Sequence, residues 1–466
     1  MAATTTTSVP ELVEHALSAS TADDCIAIAH HTTSANLRWA NNTLTTNGAM
    51  RAVDVTVVSF VRHSGGACVG TVSGTATTPE QVGALAAAAD AEARAADPAP
   101  DTQDLVAGDA TVDWEDPPVE TDVHVFDIFA PALGEAFGRA RSGGRVLYGF
   151  VDHRMTTTYL ASSTGLRLRH VQPTGHYGFT GKTADLTNSA WVGGATRDFV
   201  GVDALSVEAE LERRLAWGAR QVELPAGRYD TILPPSAVAD LMIDAYWYAG
   251  ARDAYDGHSV FSKRGGGTRL GEQVVRPEVT LFSDPAYPGL ECAPHAVVES
   301  SSSDASVFDN GLPLARTDWV RAGSLSALRQ TRETAGLTEQ PVTPAIDNLV
   351  LDVDAGGGTV DDLVSGTERG LLLTCLWYIR VVDPQTLLLT GLTRDGVYLV
   401  ENGEITGAVN NFRFNESPVD LLRRFSQASS TVPAFSREWG DDYFSRTAMP
   451  ALRVPDFNMS SVSQAR

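Results

Sequence analysis

Two neighbouring stretches constrain this chain more than any others: "DDCIAIAHHTTSANLRWANNTLTTNG" and "MRAVDVTVVSFVRHSGGACVGTVSG". Apolar and polar residues alternate along them, as at Val53, Val55 and Val57. Asn47-Gly48 and Gly65-Gly66 break the runs. Successive strand side chains point to opposite faces, so this pattern predicts antiparallel hairpins with one buried face. No helix of period 3.6 would bury these residues together.

Helices are expected around the hairpins. One is predicted near Pro10 to Ser20. "TPEQVGALAAAADAEARAA" is a second, with Thr78 as N-cap and Pro79 in its first turn. "FDIFAPALGEAFGRAR" and "DALSVEAELERRLAWGARQ" are two more. The latter carries Glu208, Glu210 and Glu212 early and Arg213, Arg214 and Arg220 late, which suits the helix dipole. Between Ala95 and Gly138 there is no Lys or Arg. Its acidic, Pro-rich part, residues 97–122, reads as a solvated linker or surface loop.

Past Pro225 the texture turns to strands, among them "RYDTILPP", "NLVLDVD" and "GVYLV-ENG-EITGAV" with its Asn402-Gly403 hairpin signal. "GLLLTCLWYIRVV" reads as buried strand. The tail after Thr431 reads as irregular and fraying. The expected fold class is α+β. An N-terminal domain over residues 1–222 is built on an antiparallel sheet, and a strand-rich C-terminal domain covers 223–466.

The formal net charge of -23 disfavours nucleic acid, which needs clustered Lys and Arg. No apolar run approaches the roughly 20 residues that span a bilayer, and the N-terminus has no signal-peptide pattern. Cys25, Cys68, Cys292 and Cys375 are dispersed and form no CxxC pair, as expected of a reduced, cytoplasmic chain.

Candidate chemistry is sparse. "DVDAGGGTVDDL" resembles a phosphate-binding turn, but the other turns such an ATPase needs are missing. "KRGGGTRLGEQ" fits neither the P-loop nor the dinucleotide fingerprint. Cys292, His295 and Glu299 are zinc-ligand types in a loop-like stretch without a closing partner. His30 and His31 are adjacent strand residues and point apart. "SAVADLMIDAYWYAGARD" (residues 236–253) is a helix directly after a strand, with Ser236 as its expected N-cap. Val238, Leu241, Met242, Ala245 and Ala249 form its buried stripe, with Asp240 and Asp244 on the other side. Ile243, Tyr246, Trp247 and Tyr248 widen the apolar surface.

At these residues the chain resembles the TldD/PmbA family of metallopeptidases. "LRWANNTLTTNG…RAVDVTVV…GGACVGTVSG", "AGRYDTILPPSAVADLM", "FDNGLPLARTDWVRAGSLSALRQTRETA" and "DNLVLDVDAGGGTVDDLVSGTERGLLLT" carry the resemblance in order and spacing. It implies that a catalytic TldD-type subunit has His-Glu-x-x-x-His on this helix, with a zinc-binding Cys near the C-terminus. Here Ile243, Asp244 and Tyr248 stand at those positions, and no Cys follows Leu421. The resemblance therefore implies a TldE/PmbA-type subunit with no catalytic or metal residue of its own and zinc in the partner. Expected partners are a TldD-type catalytic subunit and an unfolded peptide, or a peptide product in maturation, with Tyr246 and Trp247 as candidate groove-lining residues. The alternatives are a stand-alone peptide-binding homo-oligomer without proteolytic activity, and an enzyme with a relocated metal at Cys292, His295 and Glu299.

Overall fold

The computed structural model describes residues 7–440 and 444–464. The N-terminal half is built on six antiparallel strands: β1 (Asp24–Ala40), β2 (Thr43–His63), β3 (Gly66–Thr75), β4 (Arg145–Ser162), β5 (Arg167–Thr183) and β6 (Ser189–Thr196). Their order is β3-β2-β1-β4-β5-β6. The period-two alternation decides what each face does. On β1, Cys25, Ala27 and Ala29 pack under α1 (Val9–Ala19) and α2 (Pro79–Ala95). Further along that face, Ala35, Leu37 and Trp39 pack under α3 (Phe129–Ser142) and α4 (Ala204–Trp217). The even-numbered residues Ile26 and Ile28 face the other way and pack against Val307 and Phe308 of the C-terminal half. One strand thus holds the helical layer with its odd residues and the second half of the chain with its even ones.

Thr78 caps α2 as the sequence predicts, in a reciprocal capping box with Gln81. The acidic segment is more ordered than a solvated linker. Trp114 is buried against Tyr159, with ring centroids 5.5 Å apart, and Asp113 pairs with Arg169 at 3.0 Å. Arg332 Nη1 donates to the Asp104 carbonyl (2.9 Å), and Ser301 Oγ donates to Asp101 (2.7 Å). Trp114 and Asp113 thus fix the segment on the N-terminal sheet, while the Asp104 carbonyl and the Asp101 carboxylate tie it to the second half.

The chain enters the second half earlier than its composition suggests: β7 (Gln221–Val222) already pairs with Glu404–Val409. Two sheets follow. One has six strands, with Val279–Ser283 and Leu349–Val353 at its centre and Val432–Ala434 at one edge. The other is ten-stranded and holds β8 (Gly227–Leu233) between Arg369–Leu373 and Leu452–Val462. "GLLLTCLWYIRVV" is two strands rather than one, Arg369–Leu373 and Leu376–Asp383. The polar tail is also strand: Leu452–Val462 runs antiparallel to β8. Leu452, Val454, Phe457 and Met459 are buried, and a register shift between Val454 and Phe457 breaks the alternation that would have announced the strand.

Candidate functional site: the helix after β8

β8 ends at Leu233, and Pro234 and Pro235 turn the chain into α5 (Pro235–Trp247). The N-cap is Pro234, not Ser236. Pro235 suits the first helical position, where a missing N–H costs nothing. α5 sits in the core that joins the two C-terminal sheets, and every residue from Ala237 to Tyr246 is buried.

Asp240 and Asp244, on the side of the helix away from its apolar stripe, are buried as well, at 0% and 4% exposed. The segment from Ser436 to Gly440 covers them. Ser436 Oγ donates to Asp240 Oδ1 (2.6 Å), and the Glu438 N–H donates to the same oxygen (3.0 Å). The Trp439 indole N–H donates to the Asp240 carbonyl (3.1 Å), and its ring meets Trp247 edge to face, with centroids 5.1 Å apart. Glu438 is itself mostly buried and accepts N–H bonds from Tyr378 (3.1 Å) and Ile379 (3.0 Å).

Oδ2 of Asp240 and Oδ2 of Asp244 have no hydrogen-bond partner. Burial pushes both carboxyl groups up to about 7, against the hydrogen bonds each accepts, and the Glu438 carboxylate pushes the same way. These are carboxyl groups that keep a proton into the neutral range.

The motif positions follow from this packing. Ile243 is fully buried in the core. Tyr248 is the half-buried C-cap, its phenol pushed above its ordinary range by burial and then by Asp244 and Asp253. Zinc takes imidazole nitrogen, thiolate or carboxylate. At the two positions where the resemblance places histidine ligands, Ile243 offers no lone pair and Tyr248 has a phenol raised above its ordinary range, so they do not fit the metal.

Tyr246 belongs to the core rather than to a groove wall. Its hydroxyl donates to the Ile346 carbonyl (2.9 Å) and accepts the Ile346 N–H (2.7 Å), and its ring packs on Trp319 and Phe444. Trp247 is half-buried against Trp439.

The open space lies elsewhere. A cleft of about 700 Å³ separates the even-residue face of the N-terminal sheet from the loops around 293–306 and 344–347. A second, of about 470 Å³, shares Gln172, Thr174, Ser445 and Arg446 with the first, so the two adjoin between the halves. Neither is lined by Tyr246 or Trp247. His30 reaches into the first, its ring nitrogens 2.9 Å from Thr158 Oγ1 and 3.0 Å from Glu299 Oε1. His31 points to the opposite face, toward Glu120 at 3.5 Å.

The three possible relocated ligands do not converge. Cys292 is in the apolar core, its thiol pushed up to about 12 by burial. Glu299 is engaged by His30, while His295 lies in the cleft wall. Among the described residues no group of three or more His, Cys, Asp or Glu is placed to hold a metal. Nor is any described helix long and apolar enough to cross a membrane.

Sequence reasoning found the helix and missed its cover. The i, i+4 spacing of Asp240 and Asp244 was legible, but Ser436, 196 residues from Asp240, carried no signal of contact.

The fold is α+β, with an antiparallel sheet in the N-terminal half and a strand-rich C-terminal half in which α5 follows directly on β8. Residues 226–461 match the family model described as the PmbA/TldA metallopeptidase C-terminal domain, and the chain belongs to the TldD/PmbA metallopeptidase family. The fold is similar to that of TldE from Thermococcus kodakarensis, with TM-score 0.73 and 14% identity over 96% of this chain and 98% of that one. It is also similar to a putative modulator of DNA gyrase from Thermotoga maritima (0.71, 17%, 93% and 96%) and to another from Bacteroides thetaiotaomicron (0.72, 13%, 97% and 97%). No curated protein matches the sequence.

Proposed function

We propose that this chain is a non-catalytic, TldE/PmbA-type subunit of a cytoplasmic hetero-oligomeric zinc metallopeptidase that acts on unfolded peptides or matures peptide products. The observation that carries the reading is the motif helix. At the two positions where the resemblance expects histidine ligands stand a fully buried Ile243 and the half-buried Tyr248, Asp244 stands at the expected glutamate, and no Cys follows Leu421 to supply a third ligand. A catalytic zinc site keeps three protein ligands and an open position for water, and such a site belongs in a TldD-type partner. The role of this chain is then to complete the substrate chamber and help hold the peptide. Co-expression with a TldD-type protein tests the assembly: a stable complex on size exclusion is expected, and failure of the two to co-purify would overturn it.

A second reading is a peptide-binding homo-oligomer acting without a catalytic partner. Peptide binding together with self-association and no affinity for a TldD-type partner would select it.

A further inference from the structure

The Asn47-Gly48 pair, a turn signal in the sequence, does not turn the chain; it lies inside β2. The turn between β1 and β2 falls at Asn41 and Asn42, whose φ angles of 50° and 57° suit a tight hairpin. A glycine inside a strand weakens it and often marks a place where another backbone approaches closely. On the outer side of β2, β3 pairs only with Asp54 to His63, and the Ala76 N–H reaches the Val53 carbonyl (3.0 Å). From Thr43 to Ala52 no described strand lies on that side. Ladder groups alternate in direction along a strand, so Asn47, Ala49 and Arg51, in step with Val53, turn their N–H and C=O groups outward. Among the described residues these groups have no backbone partner.

The open edge is exposed and unprotected. Every residue from Thr43 to Arg51 except Gly48 is exposed, Leu44 and Met50 at 46% and 57%. Folded proteins commonly blunt such an edge with Pro or Lys. Here there is neither, and the one charge, Arg51, is paired with Glu120. The edge is also complementary to itself. Antiparallel pairing of two copies about Ala49 sets Ala49 opposite Ala49 and Asn47 opposite Arg51, and each of these outward-facing pairs exchanges N–H···O=C bonds. Between them Met50 falls opposite Gly48 of the second copy, in a pair whose side chains lie close, and the glycine leaves room for the methionine. No like charges face each other. A cavity of about 620 Å³, lined in part by Ala49, Met50, Arg51, Glu120 and Val125, opens along the same edge. Asn47 of the second copy, sharing a face with Arg51, would set its amide beside the Arg51–Glu120 pair at the rim. A twofold contact of this kind is closed, because each edge covers the other.

From this we infer that the chain pairs with a second copy of itself along the open edge of β2, residues 43–52, so that the two N-terminal sheets become one around a twofold axis at Ala49. The inference does not rest on the proposed function: such a pair can stand alone or carry two TldD-type subunits.

The test uses the full chain in solution. Sedimentation velocity at micromolar concentration is expected to show a dimer. Ala49→Pro removes an outward N–H and leaves the ladder to β1 intact, since proline is tolerated where the N–H faces solvent. Met50→Glu brings two carboxylates near the axis. Each is expected to raise the dimer dissociation constant at least about tenfold, with an unchanged circular dichroism spectrum. Ala49→Val, which keeps the N–H and favours strand, is expected to stay within about threefold of wild type. The native cysteines are all buried, so crosslinking reads the register. Under copper–phenanthroline oxidation Ala49→Cys is expected to form an intermolecular disulfide, because facing Cα atoms about 5.5 Å apart are within disulfide range. Leu44→Cys is expected to form none, its two copies lying roughly 30 Å apart. A monomeric wild type, a wild-type dimer affinity in folded Ala49→Pro or Met50→Glu, or equal crosslinking at positions 44 and 49 would overturn the inference. So would a monomeric chain whose complex with a TldD-type protein is lost in Ala49→Pro, a result that gives the edge to that partner and leaves the proposed function standing. A dimer through this edge that binds no TldD-type protein would do the reverse.

Discussion

Ser436 Oγ donates a 2.6 Å hydrogen bond to the buried Asp240 carboxyl, joining the motif helix to a segment near the other end of the chain. In this chain the polar side of α5 is occupied by the protein itself. Removing the partner at Ser436→Ala leaves Asp240 Oδ1 with one donor in place of two. The expected cost is about 1–2 kcal/mol of folding stability, read from urea denaturation. A variant as stable as wild type would show that this bond does not hold the segment down.

The two buried carboxyls give stability a definite pH dependence. Their folded-state values, about 7, lie above the ordinary 3.8, so the folded protein binds more protons than the unfolded chain between those limits. Their contribution is most favourable below about pH 4, falls as pH rises, and levels off above about 7. The full swing is at most on the order of 4 kcal/mol for each group. Asp240→Asn and Asp244→Asn mimic the protonated form. The double variant is expected to be more stable than wild type at pH 8 and to show a flatter melting-temperature profile between pH 4 and 7. An unchanged profile would rule out these groups as its source.

Tyr246 both donates to and accepts from the backbone of Ile346. Tyr246→Phe keeps the ring and leaves the Ile346 N–H and carbonyl without that partner. A loss of about 1–3 kcal/mol is expected in equilibrium unfolding, larger than for Tyr378→Phe, whose ring is exposed. Equal effects would show that the Tyr246 hydroxyl is not an anchor.

Rebuilding the motif is not expected to rebuild the site. The triple change Ile243→His, Asp244→Glu, Tyr248→His places imidazole in an apolar core and supplies no C-terminal thiolate. The predicted result is a loss of at least about 2 kcal/mol and less than one zinc per chain by elemental analysis. Stoichiometric zinc in a folded variant would show that the packing around Ile243 still accommodates a metal site.

How much of this was legible beforehand divides along physical lines. The alternation in β1 and β2 announced the antiparallel sheet, and parity alone separated His30 from His31. The capping box at Thr78 and Gln81 was local and therefore readable. Helical periodicity put Asp240 and Asp244 on the side away from the apolar stripe but carried no signal of what covers them. Only tertiary contact with Ser436 and Glu438 buries them. The last strand was hidden by the register shift before Phe457. The interdomain cleft was invisible for the same reason as the cover on α5: Thr158, His295 and Arg446 meet only once the two halves dock.

Zinc per subunit in the purified chain, alone and co-purified with a TldD-type protein, tests the central claim most directly. The non-catalytic reading predicts less than stoichiometric zinc and no peptide cleavage for the isolated chain. For the complex it predicts one zinc per TldD-type subunit, with cleavage abolished when that partner's motif histidines are replaced. One zinc per isolated chain, or cleavage that persists in a complex whose partner has lost those histidines, would contradict it.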